Sequence, residues 1–410
     1  MRTVGDLALA ATRVLGADLA PGAGAAPDVA PGLAAYPSPH RPPIPTRTGA
    51  PCDTVPPMLD LRPRILSVGT ANPPERWSQQ DLLDRFKVTD PKICSLFTSS
   101  HILTRHLYLP EGAPEGGPLP ESQGDLLRKH RRGTLEVAPK AVERCLEPMG
   151  LGVKDIDYLC CITSTGWLTP GVTALLIREM GFREDCSRMD LVGMGCNAGL
   201  NGLNPVASWA MANPGKNALM VCNEICSAAY VFDGSMRTAI VNSLFGDGVA
   251  AVLVRASERD ERAFAPKILG FDSHIIPSAL GAMRFDWDDE HGKYSFFLDR
   301  DIPYVVGANA EKPIGRLLKK FGLRRRHISH WIVHSGGKKV VDAIKYNVGL
   351  TDYDVRHTHS VLRDYGNLSS GSFLFSYSRL LAEGRVRRGD YGVLMTMGPG
   401  STIETALIRW

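Results

Sequence analysis

The chain has 410 residues, 44% of them hydrophobic and 22% charged, with 47 Lys and Arg against 43 Asp and Glu for a formal charge of +4. That length exceeds an ordinary single core and predicts two units or one internally doubled fold. The near balance of charge excludes a bulk electrostatic case for nucleic acid, and no run approaches the ~18 consecutive apolar residues of a membrane helix.

Nine cysteines, an odd number without a regular framework, fit thiols in a reducing compartment. Asp6 and Arg13 interrupt the apolar run at the amino terminus and spoil a secretory signal, so a cytoplasmic protein is expected. Residues 1–60 are crowded with Ala, Gly and Pro, a composition that cannot bury enough surface to fold alone. They are expected to form a disordered extension, with a short helix over 5–19 and a semi-extended spacer after it. The folded body should begin near Arg64, where ILSVGTA reads as a buried strand.

The body then repeats itself. Residues 150–181 and 322–349 each read Gly-Leu, an isoleucine, an apolar strand, a small-residue turn and an amphipathic helix. Ile156 pairs with Ile328 at an offset of 172, and Cys196 with Asn367 at 171. Each half continues with a helix of small residues, NAGLNGLNPVASWAM or NLSSGSFLFSYSRLL, then a strand, NALMVCNE or YGVLMTM. Alternation of this kind predicts an α/β protein of mostly parallel sheets covered on both faces. Two such halves, 61–260 and 261–410, would stack into the five-layered αβαβα arrangement of the thiolase fold.

Three residues stand where such a fold keeps its chemistry. Cys196, in DLVGMGCNAGLNG, follows a strand-like run and opens a helix, where glycines allow a tight turn. Unpaired helix N–H groups and a nearby imidazolium are expected to lower its pKa; the plain alternative is a buried structural cysteine. His334 ends the second repeat's strand and is followed by Ser335, Gly336 and Gly337, which should open its ring to a cleft. Asn367 occupies the place in the second half that Cys196 holds in the first, although an asparagine there also makes a helix N-cap. A thiolate that carries an acyl chain beside two neutral donors suits decarboxylative condensation, because donors stabilise the enolate left by CO2 loss without protonating it.

The strings GMGCNAGL, WIVHSGGKKV, RDYGNLSSG, LFGDG and MGPGSTIETALI resemble those of type III polyketide synthases, the chalcone synthase superfamily, over about residues 60–410. Within it, TSTGWLTPG, DGSMRTAIVNSLFGDG and FFLDRDIPYVVGA resemble a bacterial branch of glycopeptide-antibiotic pathways that makes (3,5-dihydroxyphenyl)acetyl-CoA. The resemblance implies an acyltransferase acting on malonyl-CoA without cofactor or metal. It further implies a homodimer, with enoyl-CoA hydratase-like companion enzymes. It makes Cys196 the nucleophile, His334 and Asn367 the decarboxylation pair, Tyr230 and Phe296 aromatic gatekeepers, and Ser164, Thr165, Thr169 and Gly398 pocket positions. Of the basic trio that clamps CoA in plant members only Lys92 remains, with Ser95 and Ser99 at the other places, and Thr396 and Met397 replace a Gly-Phe pair.

The rival readings are a type III synthase with another acyl starter, making a resorcinol or pyrone, and a ketosynthase III. The latter usually carries His-Gln-Ala-Asn where this chain has His334 and SGGKK. A non-catalytic chain-length or partner-binding subunit would lack the nucleophile. Gly193, Gly195 and Gly199 miss the G-x-G-x-x-G spacing, and Cys222 and Cys226 lack a second ligand pair for zinc. His357 and His359 read as a solvated loop. The run Arg324, Arg325, Arg326 reads as a helix-end surface that could also attract CoA phosphates.

Overall fold

A computed structural model describes residues 61–112, 117, 119–257 and 265–410. The expected extension, 1–60, lies outside the described residues. In chain order the strands are β1 (Pro63–Ala71), β2 (Arg76–Ser78), β3 (Thr104–His106), β4 (Tyr158–Thr163), β5 (Ser187–Val192), β6 (Ala218–Glu224), β7 (Gly248–Ala256) and β8 (Lys267–Ile275), then β9 (Met283–Asp288), β10 (Lys293–Leu298), β11 (Ile328–Val333), β12 (Tyr391–Gly398) and β13 (Thr402–Arg409). The α-helices are α1 (Gln79–Arg85), α2 (Pro91–Thr98), α3 (Gln123–Leu146), α4 (Val172–Met180), α5 (Ala198–Ala212), α6 (Met236–Leu244), α7 (Ile302–Lys320), α8 (Lys338–Val348), α9 (Arg356–Tyr365) and α10 (Ser372–Glu383).

Strand order along the main sheet is β11-β12-β13-β8-β1-β7-β6-β4-β5. The duplication is visible in it, because β1-β7-β6-β4 and β8-β13-β12-β11 follow one pattern, mirrored about the β1/β8 junction. That junction is a single pair, Arg64 opposite Lys267. Within each half all strands but one run the same way, as the repeats imply; the exceptions are β7 and β13. Each exception sits between two strands of the majority direction, so the innermost ladders are antiparallel and only β4/β5, β4/β6 and β11/β12 are parallel. The first half alone has an outer strand, β5; among the described residues its place in the second half is taken by helix α9.

Burial explains the layers. Every residue of β4 and β6 is buried, so both faces of these strands must be covered. The covering helices are α3 and α4 on one face and the small-residue helix α5 on the other. In the second half α7 and α8 cover one face while α10 packs beside α5 between the halves. Helix α3 starts at a capping box, in which Ser122 and Asp125 satisfy one another's backbone N–H groups. The eight cysteines among the described residues are free thiols.

Candidate active site

The turn bearing Cys196 leaves β5 at Val192 and enters α5 through the 3-10 turn Gly195–Asn197. Gly193 and Gly195 have φ of +81° and +78°, which L side chains rarely adopt. A Cβ on Gly195 would also overlap the Pro399 ring, and one on Gly398 would overlap Asn197. The nucleophile turn is therefore seated on the Gly398-Pro399-Gly400 turn. Thr396, in place of a glycine, donates from its hydroxyl to the Asn197 carbonyl at 3.3 Å, and Met397 is buried beside it.

Cys196 is only 7% exposed, with Sγ 3.5 Å from the Ser369 hydroxyl and within hydrogen-bond reach of the Asn367 amide. Burial pushes its pKa up to about 12, outweighing the Ser369 and Asn367 hydrogen bonds that lower it. The same cause takes buried His334 down to about 3. Burial thus opposes charge on either group. This corrects the expected thiolate and imidazolium: removing two ions from water costs more than the helix end returns.

His334 follows the last residue of β11, and its N–H extends the β11/β12 ladder to the Met395 carbonyl at 2.8 Å. Its Nδ1 is buried without a partner. Asn367 arrives from α9 and accepts from the Ser369 N–H through Oδ1 at 2.9 Å, while Nδ2 points to the Gly336 carbonyl, two residues beyond His334, at 3.5 Å. The 3-10 turn Ser369–Gly371 then leads into α10, as Gly195–Asn197 leads into α5.

Cys196 and Ser369 border a cavity with an empty volume of about 370 Å³, lined also by Ser164, Thr165, Phe245 and Phe296; His334 and Asn367 are not among its lining residues. Phe296, from β10, meets Phe245 edge-on at 5.6 Å. Tyr230 does not line the cavity. Its neighbour Ala229 does, and the tyrosine ring turns inward, where its hydroxyl accepts from Arg105 at 2.9 Å and donates to the Phe245 carbonyl. The aromatic wall is made by Phe245 and Phe285 with Phe296; Phe245 was missed in the sequence although it immediately precedes the Gly-Asp-Gly run.

Thr169 is exposed and outside the lining, and Gly398 backs the nucleophile turn rather than the cavity. Lys92 is exposed in the first turn of α2 and also outside the lining; Ser95 and Ser99 are exposed too. Arg325 caps α8 by donating to the Val348 carbonyl at 2.9 Å. His357 and His359 lie on α9, not in a loop, because that segment is an amphipathic helix; His357 bonds Glu383 at 3.1 Å.

Sequence reading also missed Glu224, the last residue of buried β6. Its carboxylate accepts from the Ser164 N–H at 2.9 Å, the Thr165 hydroxyl at 3.2 Å and the Ser370 hydroxyl at 2.6 Å. Burial nevertheless raises its pKa to about 7. A lone acid closing a buried strand with no other charged residue was the available signal.

Comparison with known proteins finds similar proteins along most of the chain. Residues 273–410 match the C-terminal domain of chalcone and stilbene synthases, and residues 85–320 match the FAE1/type III polyketide synthase-like proteins. The 3,5-dihydroxyphenylacetyl-CoA synthase of Streptomyces toyocaensis is 58% identical over 352 residues, covering 85% of this chain and 90% of that protein. That of Amycolatopsis orientalis is 58% identical over 347 residues, covering 85% and 93%. The crystal structure of 1,3,6,8-tetrahydroxynaphthalene synthase from Streptomyces coelicolor superposes with a TM-score of 0.76 at 26% identity, covering 85% of this chain and 99% of that one.

Proposed function

We propose that this chain, which belongs to the type III polyketide synthases of the thiolase fold, condenses four malonyl-CoA into (3,5-dihydroxyphenyl)acetyl-CoA. The observation that carries the product is the 58% identity to synthases of that name along 85% of the chain. Within this reading 61–260 supplies the nucleophile and 261–410 its two partners.

Cys196 takes the acyl group from its CoA thioester, its proton passing to His334 as the new thioester forms and on to the departing CoA thiolate, which leaves as the free thiol and returns His334 to its neutral form. Because burial opposes charge on both groups, proton transfer accompanies attack, since a preformed ion pair would have to be buried. When a bound malonyl unit loses CO2, the enolate oxygen receives hydrogen bonds from Asn367 and from neutral His334. Glu224, whose pKa burial raises to about 7, stands behind Ser164, Thr165 and Ser370 and outside the lining, which protects the enolate from protonation. After chain growth, ring closure needs a proton taken from carbon and one given to departing oxygen, and Glu224 can exchange protons through those hydroxyls.

The carbon count closes without redox chemistry. Four units, each losing CO2, supply eight carbons; joining carbon 8 to carbon 3 leaves a two-carbon arm, and losing the carbon 3 oxygen as water leaves hydroxyls on carbons 5 and 7. Water loss of this kind is enoyl-CoA hydratase-like chemistry, so companion enzymes of that type belong to the proposal, as does a cytoplasmic site of action. A homodimer does too: β5 is an edge strand whose Val192 is 38% exposed, a surface a second copy would cover. No helix among the described residues is long and apolar enough to cross a membrane.

The test is incubation of the purified chain with carbon-13 malonyl-CoA as sole substrate. Labelling of all eight acyl carbons of the aromatic product is expected, and a strict need for another acyl-CoA starter would overturn the assignment.

A further inference from the structure

Behind the cavity wall lies a buried cation that condensation does not use. Arg105, the middle residue of β3, is 0% exposed, and the groups that accept hydrogen bonds from its guanidinium are neutral. Nη1 donates to the carbonyls of Asn242 at 2.6 Å and Phe245 at 2.7 Å and to the Tyr230 hydroxyl at 2.9 Å; Nη2 donates to Gln79 Oε1 at 2.7 Å. The Gln79 amide in turn reaches the Ser243 carbonyl at 3.0 Å. These carbonyls lie at the C-terminal end of α6, where a helix leaves acceptors unsatisfied and where positive charge is favoured. The carbonyl between them, that of Leu244, accepts from the Asn367 N–H at 2.8 Å.

The cation therefore grips one side of a backbone crossing whose two strands carry the cavity wall and the amide. Phe245 pairs with Asn367 as a parallel bridge, and the Gly246 N–H returns to the Asn367 carbonyl at 3.0 Å. Gly366, with φ of +71°, lies against the Arg105 stem: a Cβ there would stand 2.8 Å from Arg105 Cδ and 2.6 Å from the Leu244 oxygen. Only glycine fits, so the guanidinium, the end of α6 and the 366–367 backbone form one packed unit. A lysine could not replace this fork, since an ammonium cannot hold several acceptors in fixed planar geometry.

From this arrangement we infer that Arg105 and Tyr230 are positioning residues that lock the Phe245 ring and the Asn367 amide to one another, and so set polyketide length and ring closure from behind the cavity. The inference rests on the condensing function above. Loosening the clamp lets the Phe245 wall move relative to Cys196, so the growing chain is released early or closed differently. It also loosens the Asn367 hydrogen bond that favours the Cys196 thiolate.

Tyr230→Phe removes one hydroxyl and keeps the ring, and Arg105→Lys keeps the charge without the fork. Both are compared with the wild-type chain for product partition from malonyl-CoA, KM, melting temperature and the rate of Cys196 alkylation by iodoacetamide. In folded Tyr230→Phe the ratio of aromatic product to shorter released chains should fall ~10-fold at unchanged KM, as expected for a small displacement of reacting groups. Alkylation should slow ~3-fold, the size of one weakened hydrogen bond. Failure of the wild type to use malonyl-CoA would defeat the proposed function, and alkylation, which needs no substrate, would still read the clamp. A Tyr230→Phe protein that is folded, with wild-type alkylation and, where products form, wild-type partition, would overturn the inference even if Arg105→Lys does not fold.

Discussion

Asn367 and Phe245 share one backbone crossing: the Asn367 N–H donates to the carbonyl of Leu244, the residue before Phe245, and the Asn367 carbonyl accepts from Gly246, the residue after it. The amide aimed at the thiol and the aromatic wall of the cavity therefore move together. Changes in one should appear in the behaviour of the other.

Enlarging the wall tests that coupling. Phe245→Ala and Phe296→Ala each remove a buried ring, which typically costs 3–5 kcal/mol in stability. Denaturant melts should show that loss, and product analysis should show longer or differently closed chains. Cavity products unchanged in both folded variants would remove these rings from any role in specificity.

Cys196 should behave as a buried thiol, not a preformed thiolate. Its alkylation rate should keep rising as pH increases from neutrality towards about 12. A plateau already reached near pH 6 would mean a preformed thiolate. After incubation with malonyl-CoA, intact mass should show an acyl adduct that is absent in Cys196→Ala.

Decarboxylation should depend on the two donors. His334→Ala or Asn367→Ala should slow CO2 release from malonyl-CoA by ~10²–10³, the usual loss for one such donor. Release at the wild-type rate would mean that the enolate is stabilised by other groups.

Glu224 gives stability a defined pH dependence. Its pKa is raised in the folded protein from 4.5 to about 7, so the proton is held more tightly than in the unfolded chain. Stability from this group is fully present below pH 4.5 and is lost as pH rises towards 7. Buried His334 acts in the opposite sense, since its folded pKa is lowered from 6.5 to about 3: stability is present above pH 6.5 and falls as pH drops below it. Melts of Glu224→Gln should lose the decline between pH 4.5 and 7, and an unaltered profile would exclude Glu224 as its source.

The exposed edge of the sheet makes an oligomer prediction. Val192→Asp places a charge on the outward side of β5 and should convert a dimer to monomer in sedimentation. A dimer that survives this change must use another surface.

Much of this molecule is determined by linear pattern. The repeat at a constant offset of about 171 residues forecast two similar halves, and local glycine settings singled out Cys196, His334 and Asn367 as candidates, because strand-to-helix turns depend on residues adjacent in the chain. What the pattern does not contain is the direction each side chain faces once distant segments meet. Tyr230 and Ala229 are neighbours, yet only the alanine faces the cavity, since Arg105, 125 residues from Tyr230, draws the phenol inward. The protonation of Cys196 is equally a tertiary matter: a helix end is legible in sequence, whereas the burial that outweighs it involves the Ser369 and Gly398 turns, which the chain supplies only some 170–200 residues later. Glu224 reads as a strand-terminal acid, and its near-neutral pKa arises only when Ser164, Thr165 and Ser370 close around it and exclude water.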